Sequence, residues 1–191
     1  ISELKRLLKK QSIVIVGFMG SGKSTLGRKI STQLSMTFVD TDKEIEKQEN
    51  LSIKKIFESR GEKYFRKREE EYILQLVQKN TESLLISLGG GSFINDNVRW
   101  AIKEKKIISL WLNVDIKLIF KRLQNSKEKR PLAQEFDTEE KLNSLLKKRS
   151  IFYKDADIEL KVQEHKMHSI LSLTYNTLYK YLENKNEKDQ Y

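Results

Sequence analysis

A glycine-rich segment, residues 17–24, reads GFMGSGKS and places Lys23 and Ser24 directly after the second of two spaced glycines. It follows a short β-branched run and precedes a helix-forming stretch, which is the context of a phosphate-binding loop. Glycines let backbone N–H groups surround phosphate oxygens, and the helix N-terminus adds partial positive charge. We expect Lys23 to reach the β- and γ-phosphates and the Ser24 hydroxyl to bind Mg²⁺. The nucleotide-binding residues predicted from this loop are Gly17, Gly20, Ser21, Gly22, Lys23, Ser24 and Thr25.

Two carboxylates, Asp40 and Asp42, follow the apolar pair Phe38-Val39. Residues two apart in an extended chain point to the same side, so both carboxylates can enter one cleft. One could support Mg²⁺, directly or through water, and the other could accept a proton from an attacking hydroxyl. The competing interpretation is a helix N-cap at Asp42, which precedes the helical sequence KEIEKQ. The phosphate loop upstream favours the functional interpretation.

A glycine triplet, residues 89–91, ends the apolar run 84–88. Three glycines after a buried strand offer no side chain for packing, but they permit a close approach of the backbone to a ligand. A plain turn would need only one glycine. The triplet therefore indicates a ligand-facing strand end.

Arginines are the remaining candidates for anion binding, because guanidinium groups hold carboxylate or phosphate through paired hydrogen bonds. Arg66 lies in FRKREEE, with Glu69 one helical turn further on and able to orient it. Arg149 lies near the end of a predicted helix, and Arg130 lies in the charged loop sequence EKRPL. In so basic a chain, a solvated surface position is the alternative for each of them.

Apolar strand-like runs alternate with helical patterns, which is typical of an α/β fold with a parallel sheet. Gly61 is expected to separate two helices, and both tryptophans, Trp100 and Trp111, lie in core-like contexts. The expected strands are 12–17, 37–40, 83–88, 107–112 and 156–162. The expected helices are 2–10, 23–34, 41–49, 52–59, 62–79, 95–104, 115–124, 138–153 and 165–183.

Two segments interrupt the simple alternation. An all-helical insertion at about 41–79 and a charged loop at about 125–136 would both lie where the strand C-termini open, which is where such sheets bind ligands. We expect the loop to be a mobile lid that excludes water during group transfer. The chain is expected to form one domain, residues 1–191, with a frayed polar tail at 184–191.

Composition narrows the class of protein further. The chain of 191 residues contains no cysteine, which excludes disulfides, a thiol nucleophile and cysteine-based metal sites. It has no long apolar segment and no signal-peptide pattern, so a cytoplasmic protein without a membrane partner is expected. The net charge is +10, but basic residues are interleaved with glutamates and lack an aromatic stacking pattern, so nucleic acid is not an expected partner. No dimerisation stretch is apparent, and a monomer is expected.

Taken in chain order, the motifs GFMGSGKST, VDTD, FRKREE, LGGG, KRPL and RSIFY resemble those of the shikimate kinase family. The resemblance extends from about residue 13 to residue 160, and the combination is far more specific than any single motif. It implies a P-loop NTPase fold of the nucleoside monophosphate kinase type, with a five-stranded parallel sheet flanked by helices. It also implies transfer of the γ-phosphate of ATP to the 3-hydroxyl of shikimate, on the route to chorismate and the aromatic amino acids.

The resemblance also implies roles for single residues. Lys23, Asp42 and Arg130 would be catalytic. Arg130 would also bind the nucleotide by moving with the lid toward the phosphates, and Asp42 would bind the shikimate hydroxyls. Arg66 and Arg149 would hold the shikimate carboxylate. Mg²⁺ would be the cofactor, and ATP and shikimate the small-molecule partners. The other positions implied are Ser24 and Asp40 for Mg²⁺, Phe57, Phe65, Gly89, Gly90 and Gly91 for shikimate, and Arg122 for adenine.

The chain departs from the family pattern at two places. The helix motif R-x-P-L-Y reads Arg149-Ser150-Ile151-Phe152-Tyr153, without proline, and the lid reads RPLA. Two other functions stay open: a related small-metabolite kinase, such as a gluconate kinase or a nucleoside monophosphate kinase, and a non-enzymatic nucleotide-binding module. The two arginines argue against a nucleotide acceptor, and the Asp-Thr-Asp and glycine motifs argue against a module without catalysis.

Overall fold

The computed structural model describes residues 1–79, 82–125, 138–163 and 166–188. These residues contain one five-stranded sheet in the order β2-β3-β1-β4-β5, and every neighbouring pair is parallel. Successive residues of β1 and β3 are all buried, so helices must cover both faces of the sheet centre. The predicted parallel sheet is confirmed. Its strands are β1 (Ile13–Val16), β2 (Thr37–Asp40), β3 (Leu84–Ser87), β4 (Ile108–Val114) and β5 (Ile158–Val162).

The described helices follow the predicted order. A short 3-10 helix that was not among the expected elements, Ser92–Ile94, follows the glycine triplet. Ser52 and Asn95 cap the helices that follow them, because their side chains accept backbone N–H groups of the first turn. The helices are α1 (Ser2–Leu8), α2 (Lys23–Leu34), α3 (Thr41–Glu49), α4 (Ile53–Gln78), α5 (Asp96–Glu104), α6 (Ile116–Gln124), α7 (Glu139–Tyr153) and α8 (Met167–Lys188).

The stretch between β2 and β3 consists of α3 and α4, and α4 bends at Gly61, where φ is 80° and ψ is 165°. This positive φ favours glycine, so the residue expected to separate two helices does break the regular geometry. The two helices bury a small apolar cluster of their own, formed by Ile45, Ile56 and Phe65 and separate from the main core. This cluster packs α3 against α4, so the insertion forms a wall beside the sheet.

Two details differ from the sequence expectation. Helix α8 continues to Lys188, past the predicted end at residue 183, since its last turns contain glutamate and lysine and no helix breaker. Trp100 is 67% exposed, so its expected core position is wrong: α5 buries Val98, Ala101 and Ile102 on the opposite face. Trp111 is buried as expected.

The lid expected at about 125–136 lies outside the described residues after Asn125, and so does Arg130. None of the described helices is long and apolar enough to cross a membrane.

Candidate active site

The carboxyl ends of β1, β2 and β3 open into one cleft of about 940 Å³. The phosphate loop and the start of α2 form one side, and the α3–α4 insertion forms another. This is the edge at which ligands bind in parallel α/β sheets. The predicted site residues that line the cleft are Gly20, Ser21, Gly22, Lys23, Ser24, Thr25, Asp40, Asp42, Phe57, Phe65, Arg66, Gly90, Gly91, Arg122 and Arg149.

The phosphate loop joins β1 to α2 with a buried lysine at its centre. The Lys23 Nζ donates to the carbonyls of Gly17 and Phe18 at 2.8 and 2.9 Å, so the side chain arches back over the loop. Gly17 does not line the cleft itself. It has a φ of 140°, and a Cβ there would lie 2.8 Å from the Leu112 carbonyl oxygen, so glycine is required for the loop to leave the sheet.

Arg122, from α6, binds the backbone of the same loop. Its Nη1 donates to the carbonyl oxygen of Ser21 at 2.9 Å and to that of Gly20 at 3.4 Å. Burial lowers the pKa of this guanidinium. The Ser21 hydroxyl is buried and has no hydrogen-bond partner within the described part of the chain. The loop therefore presents a polar side chain whose hydrogen bond a phosphate oxygen could supply.

Ser24 and Asp40 meet around Ser87, the last residue of β3. The Ser24 and Ser87 hydroxyl oxygens lie 3.4 Å apart, and Asp40 is the neighbour of Ser87 in the β2–β3 register. The Asp40 carboxylate also accepts the N–H of Lys43 at 3.3 Å. Asp40, rather than Asp42, is therefore the N-cap of α3.

Asp42 lies in the first turn of α3 instead of continuing the strand. The two carboxylates share the cleft because the chain turns from strand into helix between them, so the expectation that both project from one side of an extended strand is wrong. Thr41 fixes this turn. Its fully buried hydroxyl donates to the Ser87 carbonyl at 3.3 Å and accepts the Gly89 N–H at 3.1 Å. Sequence reasoning gave Thr41 no role.

Glu69 is a buried carboxylate at the back of the cleft, next to Asp42. Its oxygens accept Arg66 Nη1 at 2.9 Å and the Ser92 hydroxyl at 2.7 Å. Burial raises the pKa of Glu69; the Arg66 charge opposes this rise and the Asp42 charge adds to it. A Cβ on Gly89 would clash with Glu69 and would lie 2.7 Å from Asp42 Oδ1, so this glycine makes room for both carboxylates.

Arg66 and Arg149 enter the cleft from different helices. The Arg66 guanidinium also binds Glu62, and a Cβ on Gly91 would lie 2.7 Å from its Nη1. Arg149 is 8% exposed, lies over the Phe18 ring and donates to the Gly90 carbonyl at 3.2 Å. Burial lowers the pKa of Arg149; Tyr153 opposes this and the Arg66 charge adds to it. A bound carboxylate would relieve the repulsion between the two cations.

Aromatic rings line the cleft beside Arg66. Phe57 and Phe65 face each other with ring centroids 5.1 Å apart, and the Arg66 guanidinium lies over the Phe65 ring at 5.2 Å. The cleft thus combines two cations, a carboxylate and an apolar wall. This suits a small acid that also carries hydroxyl groups.

A sequence model of the shikimate kinase family matches residues 19–179. The chain belongs to the shikimate kinase family. The shikimate kinase of Bartonella quintana is 33% identical over 180 residues, covering 94% of this chain and 84% of that protein. The shikimate kinase of Flavobacterium johnsoniae is 40% identical over 155 residues, covering 80% of this chain and 90% of that protein. The resemblance drawn from the motifs is thereby confirmed.

Solved structures agree with the family assignment. The shikimate kinase from Acinetobacter baumannii, in complex with shikimate, superposes with a TM-score of 0.83 at 31% identity and covers 95% of this chain and 98% of that chain. A gluconokinase from Sinorhizobium meliloti and a deoxyadenosine kinase from M. mycoides reach a TM-score of 0.57 at 15% and 18% identity. Those two show only that the P-loop kinase fold is shared.

Proposed function

We propose that this chain transfers the γ-phosphoryl group of ATP to the 3-hydroxyl of shikimate, giving shikimate 3-phosphate and ADP. The observation that carries this proposal is the pair of guanidiniums, Arg66 and Arg149, that flank a glycine triplet beside Asp42. The phosphate loop opens into the same cleft. A carboxylate-bearing acceptor with hydroxyl groups meets each of these features. An acceptor without an acid group would leave the buried Arg149 with no carboxylate partner among the described residues.

Positive charge around the phosphates is the main requirement for the donor side, because the transition state of phosphoryl transfer is loose. Lys23 supplies it from the centre of the loop, and the N-terminus of α2 adds to it. The loop N–H groups position the β-phosphate. Arg130 remains a prediction for this role, since it lies outside the described residues.

Mg²⁺ is the metal that the family implies, and the oxygen ligands present fit it. Ser24 and Asp40 offer one hydroxyl and one carboxylate on either side of Ser87. The described residues contain no cluster of three acidic, histidine or cysteine ligands. This matches Mg²⁺, which takes one or two protein oxygens and fills its shell with phosphate oxygens and water. When bound there, it supplies charge that stabilises the departing ADP.

On the acceptor side, Asp42 orients the attacking hydroxyl and accepts its proton as the phosphoryl group arrives. Arg66 and Arg149 hold the carboxylate at the opposite end of the ring. Precise positioning of the two substrates, rather than strong base catalysis, provides most of the rate acceleration.

The proposal extends to the binding partners, the oligomeric state and the cellular location of the protein. ATP and shikimate are the small-molecule partners, the protein acts as a monomer, and it works in the cytoplasm without nucleic acid or membrane. The absence of cysteine supports a reducing compartment.

The test is ADP release in a coupled assay across a panel of acceptors. We expect shikimate to accelerate ADP production strongly, and gluconate and AMP to do so weakly. Comparable rates with gluconate would favour a gluconate kinase instead. Slow ATP hydrolysis that no acceptor stimulates would favour a nucleotide-binding module.

A further inference from the structure

Tyr153 is a tyrosine with no solvent exposure at the end of α7, and the mechanism above does not use it. Its ring packs against Trp111 in the main core, with centroids 5.9 Å apart. Phenylalanine would supply the same packing. A fully buried hydroxyl needs a hydrogen bond to offset its loss of contact with water. The group that the Tyr153 hydroxyl binds therefore indicates the role of this side chain.

That partner is the carbonyl oxygen of Gly90, the middle residue of the triplet. The same oxygen accepts Arg149 Nη1 at 3.2 Å. Arg149 and Tyr153 are four residues apart on α7, so they lie on one face of the helix and converge on one atom. Tyr153 also opposes the lowering of the Arg149 pKa that burial causes. The Tyr153 hydroxyl therefore binds the glycine triplet at the same atom as a predicted acceptor-binding arginine.

The Gly90 carbonyl sets the direction of the next N–H group. The peptide bond is planar and trans, so fixing the carbonyl of Gly90 fixes the N–H of Gly91 on the opposite side. Both glycines line the cleft, and no described group accepts a hydrogen bond from either N–H. Without a side chain, a glycine peptide would rotate easily unless something held it.

When the acceptor binds, Arg149 has to share its N–H groups between the Gly90 carbonyl and the acceptor's carboxylate, whereas the Tyr153 hydroxyl has only the Gly90 carbonyl to bind. A hydroxyl that does not leave the Gly90 carbonyl keeps the peptide in place during that change. Burial raises the pKa of Tyr153 to about 12, so the hydroxyl stays protonated and donates at neutral pH.

We propose that Tyr153 is a positioning residue of the acceptor site. Its hydroxyl holds the Gly90–Gly91 peptide so that the Gly91 N–H faces the acceptor, and it steers the Arg149 guanidinium toward the acceptor's carboxylate. This inference rests on the proposed function for the identity of the acceptor. It adds a residue that touches neither substrate.

The first test is Tyr153→Phe, which keeps the ring and removes only the hydroxyl. We expect the KM for shikimate to rise about 3- to 10-fold, as for one lost hydrogen bond, with kcat and the KM for ATP changed less than about 2-fold. Tyr175→Phe is the matched control: its hydroxyl binds Gln33, away from the cleft, and both KM values should stay native. A lower melting temperature with an unchanged shikimate KM would show a purely structural hydroxyl and overturn the inference.

The second test needs no catalysis. In ¹⁵N-labelled protein without ligands, the Gly91 amide resonance should move between the native chain and Tyr153→Phe, because the peptide is no longer held. An unmoved resonance overturns the positioning role, whereas a native protein that shikimate does not stimulate overturns the proposed function instead. If Tyr153→Phe fails to fold, the Gly91 amide of the native protein should still shift on shikimate titration. No shift there, in a native protein whose ADP release shikimate does stimulate, would also overturn the inference.

Discussion

Arg66 and Arg149 bind their partners through a planar fork, which an ammonium group cannot copy. Arg66→Lys and Arg149→Lys should each weaken shikimate binding by about 1–3 kcal/mol, the range for a lost charged hydrogen bond. The affinity for ATP should barely change, since neither residue belongs to the phosphate loop. Titration calorimetry with each ligand measures both effects.

Arg68→Lys is the matched control for this pair. It lies on the same helix as Arg66, but its guanidinium binds Glu49 and Glu71 outside the cleft. We expect native shikimate binding in this variant. If all three lysine variants bind shikimate normally, the paired-guanidinium account of the acceptor site is wrong.

Glu69 gives the protein a specific dependence of stability on pH. Burial raises the pKa of this carboxyl above its ordinary value of 4.5, so the unfolded chain ionises first as pH rises. The free energy of unfolding should therefore fall as pH rises from 4.5 through the raised pKa of the folded state. Urea titrations of the native protein and Glu69→Gln at several pH values test this. The native curve should decline relative to the variant; parallel curves would show that Glu69 is not the cause.

Ser21 should show opposite effects on stability and binding. The buried Ser21 hydroxyl has no hydrogen-bond partner among the described residues, which costs stability, so Ser21→Ala should raise the melting temperature of the ligand-free protein. The same change should weaken ATP binding several-fold if the hydroxyl donates to a phosphate oxygen. Thermal melts with and without ATP would show both effects. If the variant is no more stable than the native protein and binds ATP normally, the Ser21 hydroxyl binds ordered water and not a phosphate oxygen.

At the scale of elements, two strand ends should respond differently to an added methyl group. Gly17→Ala meets the backbone of β4 at a positive φ, so it should destabilise the fold. Gly91→Ala meets the guanidinium end of the Arg66 side chain, which can shift only by loosening its bonds to Glu62 and Glu69, so it should raise the KM for shikimate and lower the melting temperature less than Gly17→Ala does. Gly61→Ala, with open space around it, is the control for acceptor binding. Equal losses of stability at positions 17 and 91 would contradict this distinction.

Elements with local signals were predictable from the sequence. The bounds of α2 and α3 match the expectation, because the glycine loop and the Asp-Thr-Asp turn mark their starts. The sheet follows from five apolar runs separated by helical patterns. The i, i+3, i+4 spacing of Val98, Ala101 and Ile102 places Trp100 on the other face of α5, so its exposure could have been predicted from the helical period.

The contacts between elements were not predictable in the same way. Glu69 binds Ser92, and Tyr153 binds Gly90, across more than twenty and sixty residues of chain. Nothing in the spacing of these residues indicates that they meet. Only Arg66–Glu69, one helical turn apart, could be read from the sequence, and the structure contains that ion pair.

At the scale of the whole molecule, the fold gathers cations that are dispersed along the sequence. Lys23 comes from the loop after β1, Arg66 from the insertion, Arg122 from α6 and Arg149 from α7, and all of them line one cleft. Both proposed substrates are anions, so the positive charges in the cleft can bind them. A general affinity for nucleic acid is not needed to explain the excess of positive charge.

The central claim is transfer of phosphate to the 3-hydroxyl of shikimate. Incubating the native protein with ATP, Mg²⁺ and shikimate and recording the ³¹P spectrum of the product tests it most directly. The account predicts a new phosphomonoester resonance coupled to the proton on carbon 3, formed in step with ADP. A resonance coupled to another ring proton, or inorganic phosphate as the only product, would contradict it.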